Sequence, residues 1–177
     1  MPNTFIKIAS ATVGSTPVAT IVFNSIPQTY TDLIIKVSGR VDSATATQSM
    51  AMAFNAAAQG NVWSQKWINS DGAVGYGSGS YSGAGALYPF YLPAATATSN
   101  TFGNGEIYIT NYSSTTQNKS VSTDGVTENN ASSSGSQRGE FGAMLFAATA
   151  AVSSITLYGN TNFVQYSTVT IYGIKNS

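Results

Sequence analysis

The chain has 177 residues, with no Cys and no His, and only 8% of its residues are charged, whereas a typical soluble domain has roughly a quarter. Disulfide scaffolds, zinc fingers, iron–sulfur clusters, cysteine nucleophiles and Ser-His-Asp triads are therefore excluded. Seven Lys+Arg balance seven Asp+Glu, which leaves no basic field for a nucleic-acid backbone. We therefore predict no nucleic-acid partner.

Hydroxyl and amide side chains take the place of charges. Ser, Thr and Asn together account for 59 of the 177 residues, and 42% of the chain is hydrophobic. This composition predicts a folded chain, because disorder combines low hydrophobicity with high net charge. The length and the absence of a linker-like stretch predict a single domain over residues 1–177. Net charge near zero promotes self-association, which favours an assembled setting.

The sequence carries no sign of export or of membrane insertion. The N-terminus reaches Lys7 before any long apolar run develops, so we expect no signal peptide and synthesis in the cytoplasm. The longest apolar stretch, 143–152, has about half the length that a bilayer span needs. We therefore expect no insertion into a membrane.

Alternation of apolar and polar residues, interrupted by Gly, Asn, Ser and Pro, recurs along the chain and is typical of an all-β protein. We predict an antiparallel β-sandwich of about eight to ten short strands. In chain order the candidate segments are 5–11, 18–23, 32–41, 50–55, 62–68, 87–92, 106–112, 119–126, 140–148, 153–158 and 167–174.

Two of these strand predictions are specific. In 32–41, Leu33, Ile35 and Val37 point one way and Ile34, Lys36 and Ser38 the other, so one face is expected to pack on a core. Segments 153–158 and 167–174 are predicted to form a pair, because the residues 159–162 between them have the composition of a turn.

Two Gly- and Ser-rich segments, 71–86 and 128–139, are predicted to be loops, although the first is also compatible with an edge strand. The first contains the spacing Gly75-x-Gly77-x-Gly79, which superficially resembles a phosphate-binding loop. No helix is predicted after it and no Lys completes the motif, so nucleotide binding is excluded.

Four aromatic residues are candidate ligand or interface contacts. Tyr76 and Tyr81 are separated by Gly and Ser, a composition that antibody loops use for contact area and adaptability. Together with Trp63 and Trp67 they form a candidate surface for a sugar or a protein. Alternatively, the two tryptophans share one face of a strand and pack in the core or between subunits.

The carboxylates allow one catalytic hypothesis. Glu106 and Glu140 fall on predicted strands and have the residue types of a two-carboxylate glycosidase site. The favoured interpretation is that each carboxylate belongs to a turn or a strand edge, and no calcium-binding loop is present. We therefore expect no enzyme activity, no catalytic residue, no cofactor and no metal.

Two segments resemble those of a known class of protein. The first lies at 26–33, has the sequence Ile-Pro-Gln-Thr-Tyr-Thr-Asp-Leu and leads into the alternating strand that follows it. The second lies at 167–174, has the sequence Ser-Thr-Val-Thr-Ile-Tyr-Gly-Ile and follows Ile-Thr-Leu-Tyr at 155–158. Both resemble recurring segments of small virion structural proteins of tailed bacteriophages. They lie far apart in the chain, so the resemblance spans most of it.

The resemblance implies a jelly-roll-like sandwich that assembles as a homotrimer on the virion, as a capsid decoration protein, a head fibre or a tail-fibre tip. The implied partners are the major capsid protein or other virion proteins, and it implies no catalytic residues. Because the sequence has no collagen-like or coiled-coil stalk, we expect a capsid-bound protein. The alternative is an adhesin that binds a host-surface glycan or protein.

Some apolar residues exceed what one small core needs, and an oligomer could bury them at its subunit interfaces. Met50, Met52, Phe54 and the Ala-rich segment 143–151 are expected to be buried between subunits.

Overall fold

The computed structural model describes residues 5–55, 61–69, 73–81, 87–128 and 137–175, apart from the side chains at 61–63, 65, 68, 69 and 79–81. These residues form strands and no helix, which confirms the all-β prediction. In chain order the strands are β1 (Phe5–Thr12), β2 (Val18–Phe23), β3 (Asp32–Gly39), β4 (Thr47–Ser49), β5 (Ala51–Phe54), β6 (Asn61–Asn69), β7 (Val74–Tyr81), β8 (Tyr91–Pro93), β9 (Gly103–Ile109), β10 (Lys119–Thr127), β11 (Arg138–Phe146), β12 (Ile155–Phe163) and β13 (Thr168–Ile174).

The strands form one large sheet and two small ones. The large sheet has eight antiparallel strands in the order β1-β13-β3-β9-β10-β11-β6-β7, and the small sheets have the orders β2-β12-β5 and β4-β8. The described strands outnumber the predicted eight to ten. The sequence prediction missed β4, which has only three residues, and treated β7 as a loop with an edge strand as the alternative.

The core lies between the large sheet and the two small ones. Leu33, Ile35 and Val37 of β3 are at most 2% exposed, as their alternation predicted. They belong to one buried cluster with residues of the small sheets, such as Met52 and Leu157. This arrangement of packed antiparallel sheets is a β-sandwich.

One aromatic residue crosses the inner face of the large sheet where the sheet carries no side chains. Phe90 lies against Gly105 of β9 and Gly125 of β10, which are directly paired across the two strands. A Cβ atom at Gly105 would lie 2.2 Å from the Phe90 ring, and one at Gly125 would lie 2.6 Å from it. Glycine is therefore required at both positions by the close approach of the ring.

Five of the residues expected to be buried between subunits are buried within the single chain. Met50, Met52 and Phe54 are at most 1% exposed, and Phe54 packs edge-to-face on Phe146 at 5.2 Å between ring centroids. Within 143–151, Met144 and Phe146 are also buried. The prediction is wrong for these five side chains, because the core of the single chain buries them. Ala143, Ala147 and Ala150 are exposed, and for them it stays a prediction.

The predicted pairing of the last two strands is also wrong. β12 pairs with β2 and β5 in a small sheet, whereas β13 pairs with β1 and β3 in the large one. Residues 159–162, predicted as a turn, lie inside β12 as an irregularity in register, with Asn160 at φ 55°. The chain crosses between the sheets at 164–167 instead.

The Gly-rich segment contains an edge strand. β7 lies at the end of the large sheet and pairs with β6, so that Gly75 is opposite Trp67 and Gly77 is opposite Gln65. The edge-strand alternative for 71–86 is confirmed for residues 74–81. Of the second Gly- and Ser-rich segment, residues 129–136 lie outside the described residues.

Several of the few charged side chains hold loops. Arg40 donates hydrogen bonds to the carbonyl oxygens of Ala97, Thr98 and Thr101 at 2.8–3.1 Å. Lys119 is fully buried and donates to the carbonyl oxygens of residues 114, 117 and 149 at 2.7–2.8 Å. Burial lowers the pKa of Lys119. These cations stabilise the sandwich and are not available to a ligand.

Candidate ligand-binding groove

A row of outward-facing side chains crosses the large sheet on the face away from the core. Six residues are directly opposite one another on six successive strands, from β3 to β7, and together form what we call the charged row: Lys36, Glu106, Asp124, Phe141, Lys66 and Tyr76. Five strand spacings of about 4.8 Å give it a length of about 24 Å. Four of the chain's few charged residues therefore share one line.

The two carboxylates of the charged row differ in their partners. Glu106 accepts a hydrogen bond from the ammonium group of Lys36, and the two groups form an ion pair. Asp124 is directly opposite Glu106, and its carboxylate forms no hydrogen bond or ion pair within the described part of the chain. Like charges directly opposite each other are destabilising, so Asp124 is retained at a cost in stability.

Beside Asp124, an exposed aromatic ring borders a cavity. Phe141 is 59% exposed, although a side chain of this kind is ordinarily buried. A groove of about 530 Å³ lies between Phe141 and Lys36, and Asn104, Tyr108 and Ser122 also line it together with the two carboxylates. We call it the outer groove.

The opposite side of Phe141 borders a second cavity. It has a volume of about 320 Å³ and is lined by Ser64, Lys66, Gly142 and Ala143 in addition to Phe141. Tyr76, which is opposite Lys66 on the edge strand, is 87% exposed. Phe141 thus separates two cavities along the same row, and the row ends in a second exposed aromatic ring.

One wall of the outer groove is held in place by a buried carboxylate. The Tyr108 hydroxyl donates a hydrogen bond of 2.6 Å to Oδ2 of Asp32, whose Oδ1 accepts one of 2.8 Å from the Asn111 N–H. The hydrogen bond to Asp32 is the main reason why the pKa of Tyr108 is raised to about 12, with burial second. Tyr108 therefore lines the groove with a ring that is held in place, while its hydroxyl is bonded to Asp32.

The inner face of the same strands has a different polar cluster. Glu140 is fully buried, its Oε2 accepts a hydrogen bond from the Tyr91 N–H, and its Oε1 lies 3.7 Å from Nη1 of Arg138. The Arg138 guanidinium stacks on the Tyr91 ring at 4.2 Å and reaches Trp67 at 5.7 Å. Burial raises the pKa of Glu140, and the Tyr91 N–H and Arg138 oppose this rise.

The catalytic hypothesis does not fit this geometry. Glu106 lies on the outer face of β9 in an ion pair, whereas Glu140 lies on the inner face of β11. Two glycosidase carboxylates must approach the same bond from positions within about 10 Å of each other on one site. The sheet lies between these two, so they do not form such a site.

The four predicted contact residues do not form one surface. Tyr76 is on the outer face, whereas Trp67 is partly buried on the inner face, where its ring lies over Gly75. The prediction that Trp67 joins Tyr76 in one binding surface is wrong, because alternation along the paired strands sends them to opposite faces. The side chains of Trp63 and Tyr81 lie outside the described residues.

The sequence prediction missed most of the charged row. Phe141 was assigned only to a strand, Asp124 was covered only by the general interpretation of the carboxylates as turn or strand-edge residues, and Lys36 and Lys66 were given no role. The sequence does not reveal the register between strands. Which residues on six strands are neighbours can be predicted only when the register of every pair is known. Nothing in the sequence of β11 alone predicts that Phe141 is exposed while the neighbouring Glu140 is buried.

Nothing matches this chain significantly in comparisons with protein-family models, curated proteins and solved structures. Among the described residues, no three His, Cys, Asp or Glu side chains cluster in a way that would hold a metal ion. The described part of the chain also contains no helix that is long and apolar enough to cross a bilayer.

Proposed function

We propose that this chain is a virion structural protein of a tailed phage, and that it decorates the capsid as a homotrimer that binds the assembled head and stabilises it. The proposal starts from the two segments that resemble such proteins, 26–33 and 167–174. A protein that binds only the assembled lattice shifts the equilibrium towards that lattice by mass action. This role requires contact surfaces and no catalytic residues.

The observation that carries the proposal is a set of apolar side chains on two edge strands that remain exposed among the described residues. β1 is an edge strand of the large sheet and β2 is an edge strand of a small sheet, and the short loop 13–17 joins them. Phe5 is 55% exposed, Val22 48%, and Ile6 and Val18 37% each. Apolar side chains left exposed on edge strands are typical of sites where another chain associates.

The strand order favours the jelly-roll form of the sandwich. Strands β1, β13, β3 and β9 are consecutive in the large sheet, opposite β2, β12 and β5 in the small one. The chain changes sheets between β1 and β2, between β2 and β3, and between β12 and β13, as the two Greek keys of a jelly roll require. Strands β6, β7, β10 and β11 widen the large sheet beyond the four strands of that scheme.

The test of the proposal is the position and number of copies on purified virions. Quantitative gel analysis should give copy numbers near that of the major capsid protein, and labelled virions should show the protein on the head in electron micrographs. A handful of copies per particle, or labelling only at the tail, would overturn the decoration role.

The contact surface can be tested separately with variants. Replacing Phe5 and Ile6 together by Ser should abolish binding to heads stripped of the protein and should reduce the trimer to monomers in analytical ultracentrifugation. Replacing Phe141 by Ser is the matched control, because it removes an equally exposed ring from the large sheet at a distance from β1. Equal loss of head binding in both variants would contradict an interface at β1.

A second function, an adhesin for a host-surface glycan or protein, is favoured by the outer face of the large sheet. Phe141 and Tyr76 are exposed there in one row with two lysines and two carboxylates. Binding of labelled protein to host cells, abolished by replacing Tyr76 and Phe141 with Ala, would support this function. Cells that bind the wild type and this variant equally would remove it.

A further inference from the structure

We propose that the outer groove binds a neutral saccharide, with Phe141 as the surface on which a sugar ring lies and with Asp124 and Asn104 as its main hydrogen-bonding partners. This inference deepens the adhesin function and rests on it for the source of the sugar. The binding itself is a property of the isolated protein and can be measured without virions or host cells.

The side chains of the groove suit a ligand with many hydroxyl groups. An ionised carboxylate accepts short, strong hydrogen bonds from hydroxyls, and an amide both donates and accepts. The Asp124 carboxylate forms no hydrogen bond or ion pair in the described part of the chain and Asn104 is exposed, so neither has to give up a protein partner when a ligand binds. The hydroxyl of Ser122 is a further donor and acceptor on the same wall.

The exposed ring supplies the apolar part of the contact. A sugar ring has polar edges and C–H groups on its faces, so it pairs with a site where hydrogen-bonding groups flank an aromatic side chain. Phe141 is directly opposite Asp124 across β10 and β11. A ring lying on Phe141 therefore brings its edge hydroxyls towards the Asp124 carboxylate.

Charge selects a neutral ligand over an ionic one. Lys36 and Lys66 balance Glu106 and Asp124 along the charged row, so the row has no net charge. An anionic sugar would meet the two opposed carboxylates, whereas a cationic ligand that spans the row would meet Lys36 at the far end of the outer groove and Lys66 in the second cavity. A compact apolar ligand is also disfavoured, because sites for such ligands are enclosed and mostly apolar.

The length of the row favours an oligosaccharide over a single sugar. The second cavity continues the outer groove beyond Phe141, and Tyr76 follows it at the sheet edge. At about 24 Å, the row is longer than one sugar ring. A chain lying across the strands would contact Phe141 in its middle and Tyr76 at one end.

The experiment is titration of purified protein, by isothermal calorimetry and by NMR, with neutral oligosaccharides built from glucose, galactose, mannose and N-acetylglucosamine. Sialylated and uronic-acid oligosaccharides and the amine spermidine form the comparison arms. We expect saturable binding of at least one neutral oligosaccharide and none of the charged ligands. No saturable binding of any neutral oligosaccharide at millimolar concentrations, or a preference for a charged ligand, would overturn the proposal.

Variants then locate the site. Asp124→Asn should weaken binding about 10-fold or more, because it removes hydrogen bonds to a charged acceptor, and Phe141→Ala should abolish it. The controls are Glu128→Gln, which removes the same charge just after β10, and Tyr166→Ala, which removes an exposed ring between β12 and β13. Unchanged affinity in Asp124→Asn and Phe141→Ala, or equal loss in the controls, would overturn the assignment.

The outcome for the groove is distinguishable from the outcome for the proposed functions. If oligosaccharide binding is found and host cells are not bound, the groove assignment stands and the adhesin role fails. If host cells are bound and Asp124→Asn does not weaken binding to those cells or to any oligosaccharide, the adhesin role stands and the groove assignment fails.

Discussion

Glu140 and Phe141 are neighbours in β11, yet their environments are the reverse of what their chemistry predicts. The carboxylate of Glu140 is fully buried on the inner face, and the ring of Phe141 is 59% exposed on the outer face. Inside, the charge is compensated by Arg138 and by the Tyr91 N–H. Outside, nothing in the described part of the chain covers the ring.

The polar groups of the inner face support the fold, whereas those of the outer face are available to a ligand. On the inner face, Arg138 is held between aromatic rings and beside a carboxylate, and the cluster links β11 to β8. On the outer face, Asp124 stands opposite a like charge and has no hydrogen-bonding partner among the described residues. Polar groups that are buried against counter-charges and rings hold a fold together, whereas exposed groups without a protein partner beside an exposed ring are what a ligand needs.

The largest loss of stability is expected from breaking the ion pair between Glu140 and Arg138 on the inner face. Glu140→Gln keeps the shape of the side chain but leaves Arg138, whose side chain is only 13% exposed, without its counter-charge. The free energy of unfolding should fall by about 3 kcal/mol, the low end of the range for a broken buried pair, because the guanidinium is not fully buried. Urea unfolding measures this. The double variant Arg138→Leu with Glu140→Leu should lose much less, since it removes both charges. Equal losses in the two variants would contradict a structural role for the ion pair.

A smaller effect is expected at the glycine under Phe90. Gly105→Ala places a Cβ atom 2.2 Å from a ring that is 1% exposed, and overpacking of this kind costs about 1–3 kcal/mol. Gly139→Ala is the matched control in β11, because nothing lies within 4 Å of the position that its methyl group would take. Thermal unfolding should show a clear loss for the first variant and none for the second.

The wall of the outer groove should give a pH-dependent effect. Tyr108→Phe removes the hydrogen bond to Asp32 and should cost about 1 kcal/mol, below the usual range for bonds to charged groups because water reaches the site. The pKa of Tyr108 rises from 10 to about 12 on folding. Its contribution is therefore complete below pH 10 and is lost as the pH rises to about 12.

The measurement is the stability difference between the wild type and Tyr108→Phe as a function of pH. The difference should be constant below pH 10 and should shrink between pH 10 and about 12. A difference that stays unchanged up to pH 12, or one that shrinks near neutral pH, would show that the hydrogen bond to Asp32 does not perturb Tyr108.

The smallest effect on stability is expected at Asp124, although its replacement should weaken saccharide binding strongly. Asp124→Asn removes the like-charge pair with Glu106 and should stabilise the protein by about 0.2–1 kcal/mol. A gain in stability together with a loss of saccharide affinity would show that Asp124 is kept for its ligand. A loss of stability would mean that Asp124 has a structural role instead.

Much of the fold was predictable because burial of one face leaves a period of two in the sequence. Leu33, Ile35 and Val37 are buried as expected, and strands such as Val18–Phe23 agree with their predicted bounds. Pairing was not predictable to the same extent. The strand containing Ile155 and the strand containing Ile171 are near in sequence but lie in different sheets, because the chain crosses the sandwich between them.

The candidate site was predictable only in part. Tyr76 was singled out and is exposed, whereas Trp67 was grouped with it and lies on the other face. Gly75 was interpreted as part of a loop because the segment around it is rich in Gly and Ser. In the structure it lies in a paired strand, where the absence of a side chain leaves room for the Trp67 ring. Such a reason is visible only when the partner strand is known.

The sequence by itself determined an all-β chain with few charges, alternating strands and no Cys or His for thiol or imidazole chemistry, because composition and local periodicity need no knowledge of long-range contacts. Only the tertiary structure decided which residues meet. It aligned Lys36, Glu106, Asp124, Phe141, Lys66 and Tyr76 in one row. Register between strands far apart in the chain is fixed by the packing of the whole sandwich, and a one-residue slip would send every one of these side chains to the opposite face.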